Sequence, residues 1–160
     1  MKIQKAFLLI FVAIVACTQG AKVTVRPREV LGVKLGGSVQ ELRAVYTENR
    51  LSLQETVEDR YVSVDVVKPL AGLPMVEVSY QASSGVLRVM EVSFRGDVSN
   101  ELQALIDEEY STDPGLRQQS EQKQRFIGTI GENDHYWLLP DMTVMVVVKG
   151  GETRLIYSLK

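Results

Sequence analysis

The chain has 160 residues, 18 basic and 20 acidic, for a net charge of −2 at pH 7, with one histidine and one cysteine. So mild an acidity lacks the clustered Lys and Arg that neutralise a phosphate backbone, and nucleic acid is not an expected partner. A single cysteine excludes an internal disulfide, so stability has to come from an apolar core, and the length suits one domain able to bury one.

The chain opens with Lys2 and Lys5, followed by an apolar run from Ala6 to Ala16. A charged start and a short apolar centre form the pattern of a secretory leader. The run falls short of the about 20 apolar residues that cross a bilayer, and Thr18, Gln19, Gly20 and Lys22 close it. Residues 1–16 are therefore read as a signal peptide. Removing them takes away the two lysines and no acid, moving the net charge from −2 to −4.

Ile14, Val15, Ala16 and Cys17 end the leader. These four residues resemble the lipobox of bacterial lipoproteins, in which an aliphatic, a small or β-branched and an Ala-class residue precede the cysteine. The resemblance implies that the Cys17 thiol takes a diacylglycerol, that cleavage makes Cys17 the first mature residue, and that the chain is held to the cell envelope by this lipid. Several acyl chains give stable attachment where one does not. Thr18 rather than Asp after the cysteine leans towards the outer membrane, if the source has one. The alternative is an ordinary leader cut a few residues later, with Cys17 discarded.

Residues 17–29 read as the lipidated cysteine and a short tether, broken by Arg26, Pro27 and Arg28, and residues 30–160 as a single α+β domain. Residues 30–35 form a small apolar strand ended by Gly36 and Gly37. Ser38 stands three residues before Glu41, a capping-box spacing, and Val39, Leu42, Val45 and Tyr46 follow at helical spacing to about Glu48. Strands come next. Leu51 and Leu53 alternate with polar residues, then Val62, Val64 and Val66, then Val76, Val78 and Tyr80. A turn over 81–85 leads to Met90, Val92 and Phe94 on one face. Period two with a polar opposite face predicts an antiparallel sheet covered on one side.

A second helix is predicted from about Ser99 to Tyr110, with Leu102, Leu105, Ile106 and Tyr110 apolar and Asp97, Ser99 or Asn100 as its cap. A polar loop over 111–123 follows, then four strands at 124–130, 135–139, 142–149 and 153–159. The run over 142–148 is apolar at both parities, which suits a central strand covered on both faces. Glu41-Leu42-Arg43-Ala44-Val45 and Glu101-Leu102-Gln103-Ala104-Leu105 match. Residues 30–95 and 96–160 thus read as two helix-plus-meander units, either a duplication or a coincidence of common helix-starting sequence. Leu35-Gly36-Gly37-Ser38 with Glu41 gives each half a loose similarity to the BamE-like modules of envelope lipoproteins. That family's Gly-Pro after the first helix is missing, so no functional residue is carried over.

Chemistry is sparse. His135 has Asp134 and Asp141 nearby in sequence, but no serine sits in a GxSxG elbow, so a triad finds only one of its parts. Metal-ligand spacing is absent, no cofactor is expected, the acidic run Asp107-Glu108-Glu109 reads as a solvated face near the end of the second helix, and the pairs Glu58-Asp59 and Glu108-Glu109, neighbours on a turn or helix, do not set two acids across a cleft. Tyr136 and Trp137, next to Pro140, have two readings: an aromatic contact for a partner, or, for Trp137, a plug in the core beneath a helix. Three functions follow in order. The first is a non-catalytic accessory module of an envelope complex, with the membrane and an envelope protein as partners. The second is a carrier or sensor enclosing a small apolar ligand between helices and sheet. The third is a hydrolase built on His135.

Overall fold

A computed structural model of the chain describes residues 28–70, 72–110 and 135–160. The leader, Cys17, most of the tether and the loop and strand expected over 111–130 lie outside the described residues.

Two helices and a largely antiparallel set of strands make this an α+β protein. In chain order the elements are β1 (Arg28–Val30), β2 (Val33–Leu35), α1 (Val39–Glu48), β3 (Gln54–Val57), β4 (Arg60–Ser63), β5 (Met75–Ser83), β6 (Val86–Arg95), α2 (Ser99–Tyr110), β7 (His135–Leu138), β8 (Met142–Lys149) and β9 (Glu152–Leu159). The seven longer-range strands form one sheet in the order β3-β4-β5-β6-β9-β8-β7, and β1 and β2 pair separately.

Directly opposed residues in a ladder share a face. The register carries one row across the whole sheet, from Glu55 through Tyr61, Tyr80, Met90, Tyr157 and Val144 to Trp137. From Tyr61 to Trp137 all of these are buried. Both helices lie over this row. The Tyr46 hydroxyl of α1 is 2.8 Å from that of Tyr80 on β5, and Trp137 Nε1 of β7 donates to Asp107 Oδ1 of α2 at 2.6 Å. The two helices therefore pack on one face of the sheet.

α1 begins where the sequence requires. Ser38 Oγ accepts from the Glu41 N–H at 3.1 Å, and Glu41 Oε2 accepts from the Ser38 N–H at 2.6 Å. Burial of its apolar stripe, Val39, Leu42 and Tyr46, stabilises the helix by about 1.5–3 kcal/mol per large side chain. α2 repeats the pattern with Leu102, Ile106 and Tyr110, while Leu105 stays 39% exposed.

Each helix is pinned to the last hairpin of its own half. Before α1, the Gly36 N–H donates to Leu87 O at 2.9 Å and the Val39 N–H to Gly85 O at 3.0 Å. Before α2, the Gly96 N–H donates to Gly151 O at 3.0 Å and the Val98 N–H to Thr153 Oγ1 at 3.0 Å. The closing strands β6 and β9 then pair antiparallel at the middle of the sheet, with Glu91 opposite Ile156. This is the arrangement two copies of one helix-plus-meander unit would give about a central dyad.

Several expectations are corrected. The segment over 30–35 is not one strand but most of the β1–β2 hairpin, which starts at Arg28 and shortens the tether. The hairpin packs against α1 and β6 on the helix face. Its turn is Leu31 (φ 48°) and Gly32 (φ 81°), and a Cβ on Gly32 would lie 2.8 Å from Val67 Cγ1. Leu51 and Leu53 precede β3 rather than belonging to it, and Val64, expected inward, is 74% exposed beyond the end of β4. Val76 is 41% exposed because a register shift at Met75/Glu77 interrupts the alternation there. β8 lies not at the centre but between β9 and β7, and among the described residues only one of its faces is covered by a helix.

Candidate functional site

The residues singled out by the sequence do not come together. Cys17 lies outside the described residues. Trp137 is 2% exposed, on the helix face, where its indole N–H is taken up by Asp107 of α2. A buried indole needs such an acceptor, and the side chain is core. Tyr136, its neighbour, points through the opposite face and is half-buried.

His135 is on the helix face at the start of β7, its ring 6.2 Å from that of Trp137. Asp141 sits at the far end of the β7–β8 hairpin and is engaged by Arg28 Nε at 2.9 Å. Ser99 Oγ gives its proton to Asp97 Oδ1 at 2.7 Å, and the Ser99 N–H donates to the same oxygen at 3.1 Å. Those bonds hold the Asp97 carboxyl below its ordinary range, with His135 adding a smaller effect. The cluster is a helix cap, because the serine hydroxyl faces a carboxylate and not an imidazole. Among the described residues no group of three His, Cys, Asp or Glu is placed to hold a metal. The start of α1, preceded by Gly36 and Gly37, is occupied by its own cap. Glu41 is held below the usual carboxylate range, first by the Ser38 N–H and then by Lys34.

The buried hydroxyls of Tyr46 and Tyr80 on the helix side are matched to one another. Tyr46 donates to Asp65 O at 3.0 Å, which leaves its oxygen to accept from Tyr80. Burial pushes both phenols above their ordinary range.

The other face of the sheet has no described element on it. One row there runs Val62, Ser79, Glu91, Ile156, Met145 and Tyr136, and the next Arg60, Gln81, Val89, Ser158, Thr143 and Leu138. The two sides differ. The β9–β8–β7 side presents Ile156, Met145, Val147, Tyr136 and Leu138, all half-buried, whereas the β4–β5–β6 side is polar. On the polar side a groove of about 200 Å³ opens over the small Ser79. Arg60, Tyr80, Gln81, Val89 and Glu91 complete its lining. The Tyr80 side chain belongs to the helix-face row, so it offers main chain to the groove. Glu91 is paired with Arg154 at 3.2 Å.

The sequence predicts a sheet covered on one side, but not the apolar half of the open face. The double-parity apolar run over 142–148 carries that signal, which suits an open apolar strand as well as a covered centre strand. Comparison with protein-family models, curated proteins and solved structures returns no match.

Proposed function

We propose that the protein is a lipoprotein of the bacterial cell envelope, anchored through Cys17, whose α+β domain is a non-catalytic accessory module that docks a larger envelope complex. The observation that supports this reading most is the division of the sheet. One face carries the helices and a closed core, and the other presents a mixed apolar and polar surface with no described cover, the composition of a protein contact face. The carrier reading draws less support. The space between helices and sheet is filled by Leu35, Leu42, Tyr46, Leu102, Ile106 and Trp137, each at most 2% exposed. The hydrolase reading has no assembled acid–base pair among the described residues.

The test has two parts. Cells fed labelled palmitate should incorporate it into the full chain and not into Cys17→Ser. Crosslinking in native membranes should then capture one stoichiometric envelope protein that the mislocalised Cys17→Ser chain does not capture. An unlabelled chain recovered in the soluble fraction, with no specific partner, sinks the proposal.

A further inference from the structure

The chain enters the domain at one end of the sheet and is held there. Arg28 is opposite Leu35 in the β1–β2 hairpin, and the next residue, Gly36, donates its N–H to Leu87 O at 2.9 Å. Arg28 Nε also donates to Asp141 Oδ2 at 2.9 Å, in the turn between β7 and β8. That turn is fixed in its own right. The Lys160 N–H donates to Asp141 O at 3.0 Å, and Lys160 Nζ donates to Leu139 O at 2.6 Å. The register puts two further turns at the same end, Glu58-Asp59 between β3 and β4 and Ser84-Gly85 between β5 and β6. Gly96 and the β8–β9 turn at Gly150 and Gly151 lie at the opposite end, about 30 Å away along the 10 residues of β6.

We infer that the end of the sheet bearing the Arg28–Asp141 pair faces the bilayer that holds Cys17, with the strands rising from it and the Gly96 and Gly150 end turned away. From Cys17 to Arg28 the chain advances 11 residues, which span at most about 40 Å when fully extended. Bringing the opposite end to the bilayer would draw most of that length along the side of the domain, at the cost of most of the segment's conformational freedom. The exposed residues of the near turns are Glu58, Ser83, Ser84, Gly85 and Pro140, with Lys160 beside them. None is a large apolar side chain, so the contact is with headgroups and not with acyl chains. Both faces of the sheet then stand upright, and a partner reaches the open face from the side. This inference rests on the lipoprotein reading and adds the orientation of the anchored domain.

The test places the full chain in nanodiscs of phosphatidylethanolamine and phosphatidylglycerol, doped with a phospholipid carrying a nitroxide on its headgroup. One sample keeps the lipid that the host attaches, and a second has the Cys17 thiol coupled to a maleimide phospholipid. Paramagnetic broadening of the backbone amide signals is read by NMR. Ser84 and Gly85 should lose several-fold more intensity than Gly96, Gly150 and Gly151. Equal loss at the two ends, a larger loss at Gly96 and Gly151, or a loss centred on Glu91 and Ile156 of the open face overturns the inference. Arg28→Gln should narrow the difference, and inserting about 20 Gly and Ser residues after Ala21 should abolish it by lengthening the tether. A difference that survives both changes would belong to an affinity of this end for lipid and overturns the tether argument; the insertion alone decides this if Arg28→Gln folds poorly. The two samples separate the inference from the reading beneath it. If the host attaches no lipid and the coupled chain shows the difference, the lipoprotein reading falls and the orientation stands. If the lipid is attached and both ends broaden alike, the orientation falls and the lipoprotein reading stands.

Discussion

Removing one hydroxyl at a time from the Tyr46–Tyr80 pair should give unequal costs, and the inequality follows from which way the protons point. Tyr46 Oη is 3.0 Å from the Asp65 carbonyl and 2.8 Å from Tyr80 Oη. A carbonyl only accepts, so Tyr46 donates to Asp65 and Tyr80 donates to Tyr46. Tyr80→Phe deletes the outer donor and leaves Tyr46 bonded to Asp65, a loss of about 0.5–1.5 kcal/mol. Tyr46→Phe strands two groups at once, the Tyr80 hydroxyl inside a side chain only 1% exposed and the Asp65 carbonyl. At about 1–3 kcal/mol for the buried Tyr80 hydroxyl, and about 1 kcal/mol for the half-buried Asp65 carbonyl, it should cost roughly 2–4 kcal/mol. The double Phe variant should cost less than the sum of the singles, because it removes the stranded hydroxyl that makes Tyr46→Phe expensive. The edge-to-face ring contact, 6.0 Å between centroids, survives in all three. The assay is urea unfolding with a common m-value. Equal single costs, or strict additivity, would show that the hydroxyls are not bonded in this order.

Gly32→Ala should destabilise the protein by more than about 1 kcal/mol, since it puts a Cβ 2.8 Å from Val67 Cγ1 at a φ of 81°; a thermal melt within a degree of wild type would contradict the hairpin's placement. Ser38→Ala should cost about 1 kcal/mol through loss of the α1 cap. Because Glu41 is lowered from its ordinary 4.5 in the folded state, its contribution is present above that pH and disappears as pH falls through the lowered value. Glu41→Gln should therefore flatten the acid limb of a stability–pH curve, and an unchanged limb would remove Glu41 from the cap. Trp137→Ala should cost about 3–5 kcal/mol as a core truncation. Asp107→Ala should cost about 1–3 kcal/mol by removing the carboxylate that accepts from the indole N–H, a change that the chain's single tryptophan reports directly by fluorescence.

Much of the fold was legible because it is written in local signals. The Ser38/Glu41 capping box and the stripe ending in Tyr46 fix α1 without reference to the rest of the chain, and Leu102, Ile106 and Tyr110 do the same for α2. The errors occur where a tertiary contact overrides a local pattern. Leu31 adopts a turn conformation that its side chain disfavours. The Lys68 N–H donates to its carbonyl at 3.1 Å, and nothing within 30–35 announces that partner. Val76 obeys the alternation in sequence and breaks it in space, since the register shift beside it depends on β6. For the candidate site the gap is wider. Trp137 and Asp107 are 30 residues apart, so their pairing could not be read from spacing.

The seam between β6 and β9 has a kinetic consequence. Pairing within the β5–β6 and β8–β9 hairpins closes short loops, which form early and at little entropic cost. The seam is different: Val89 meets Ser158 and Phe94 meets Thr153, contacts of high sequence separation that raise the contact order of the whole chain. Folding then consists of fast hairpin formation followed by the slower long-range main-chain closures, of which the seam spans the most residues. Substitutions along Glu91 and Ile156 should act on the folding rate, whereas substitutions at the outer edges of the sheet act on unfolding.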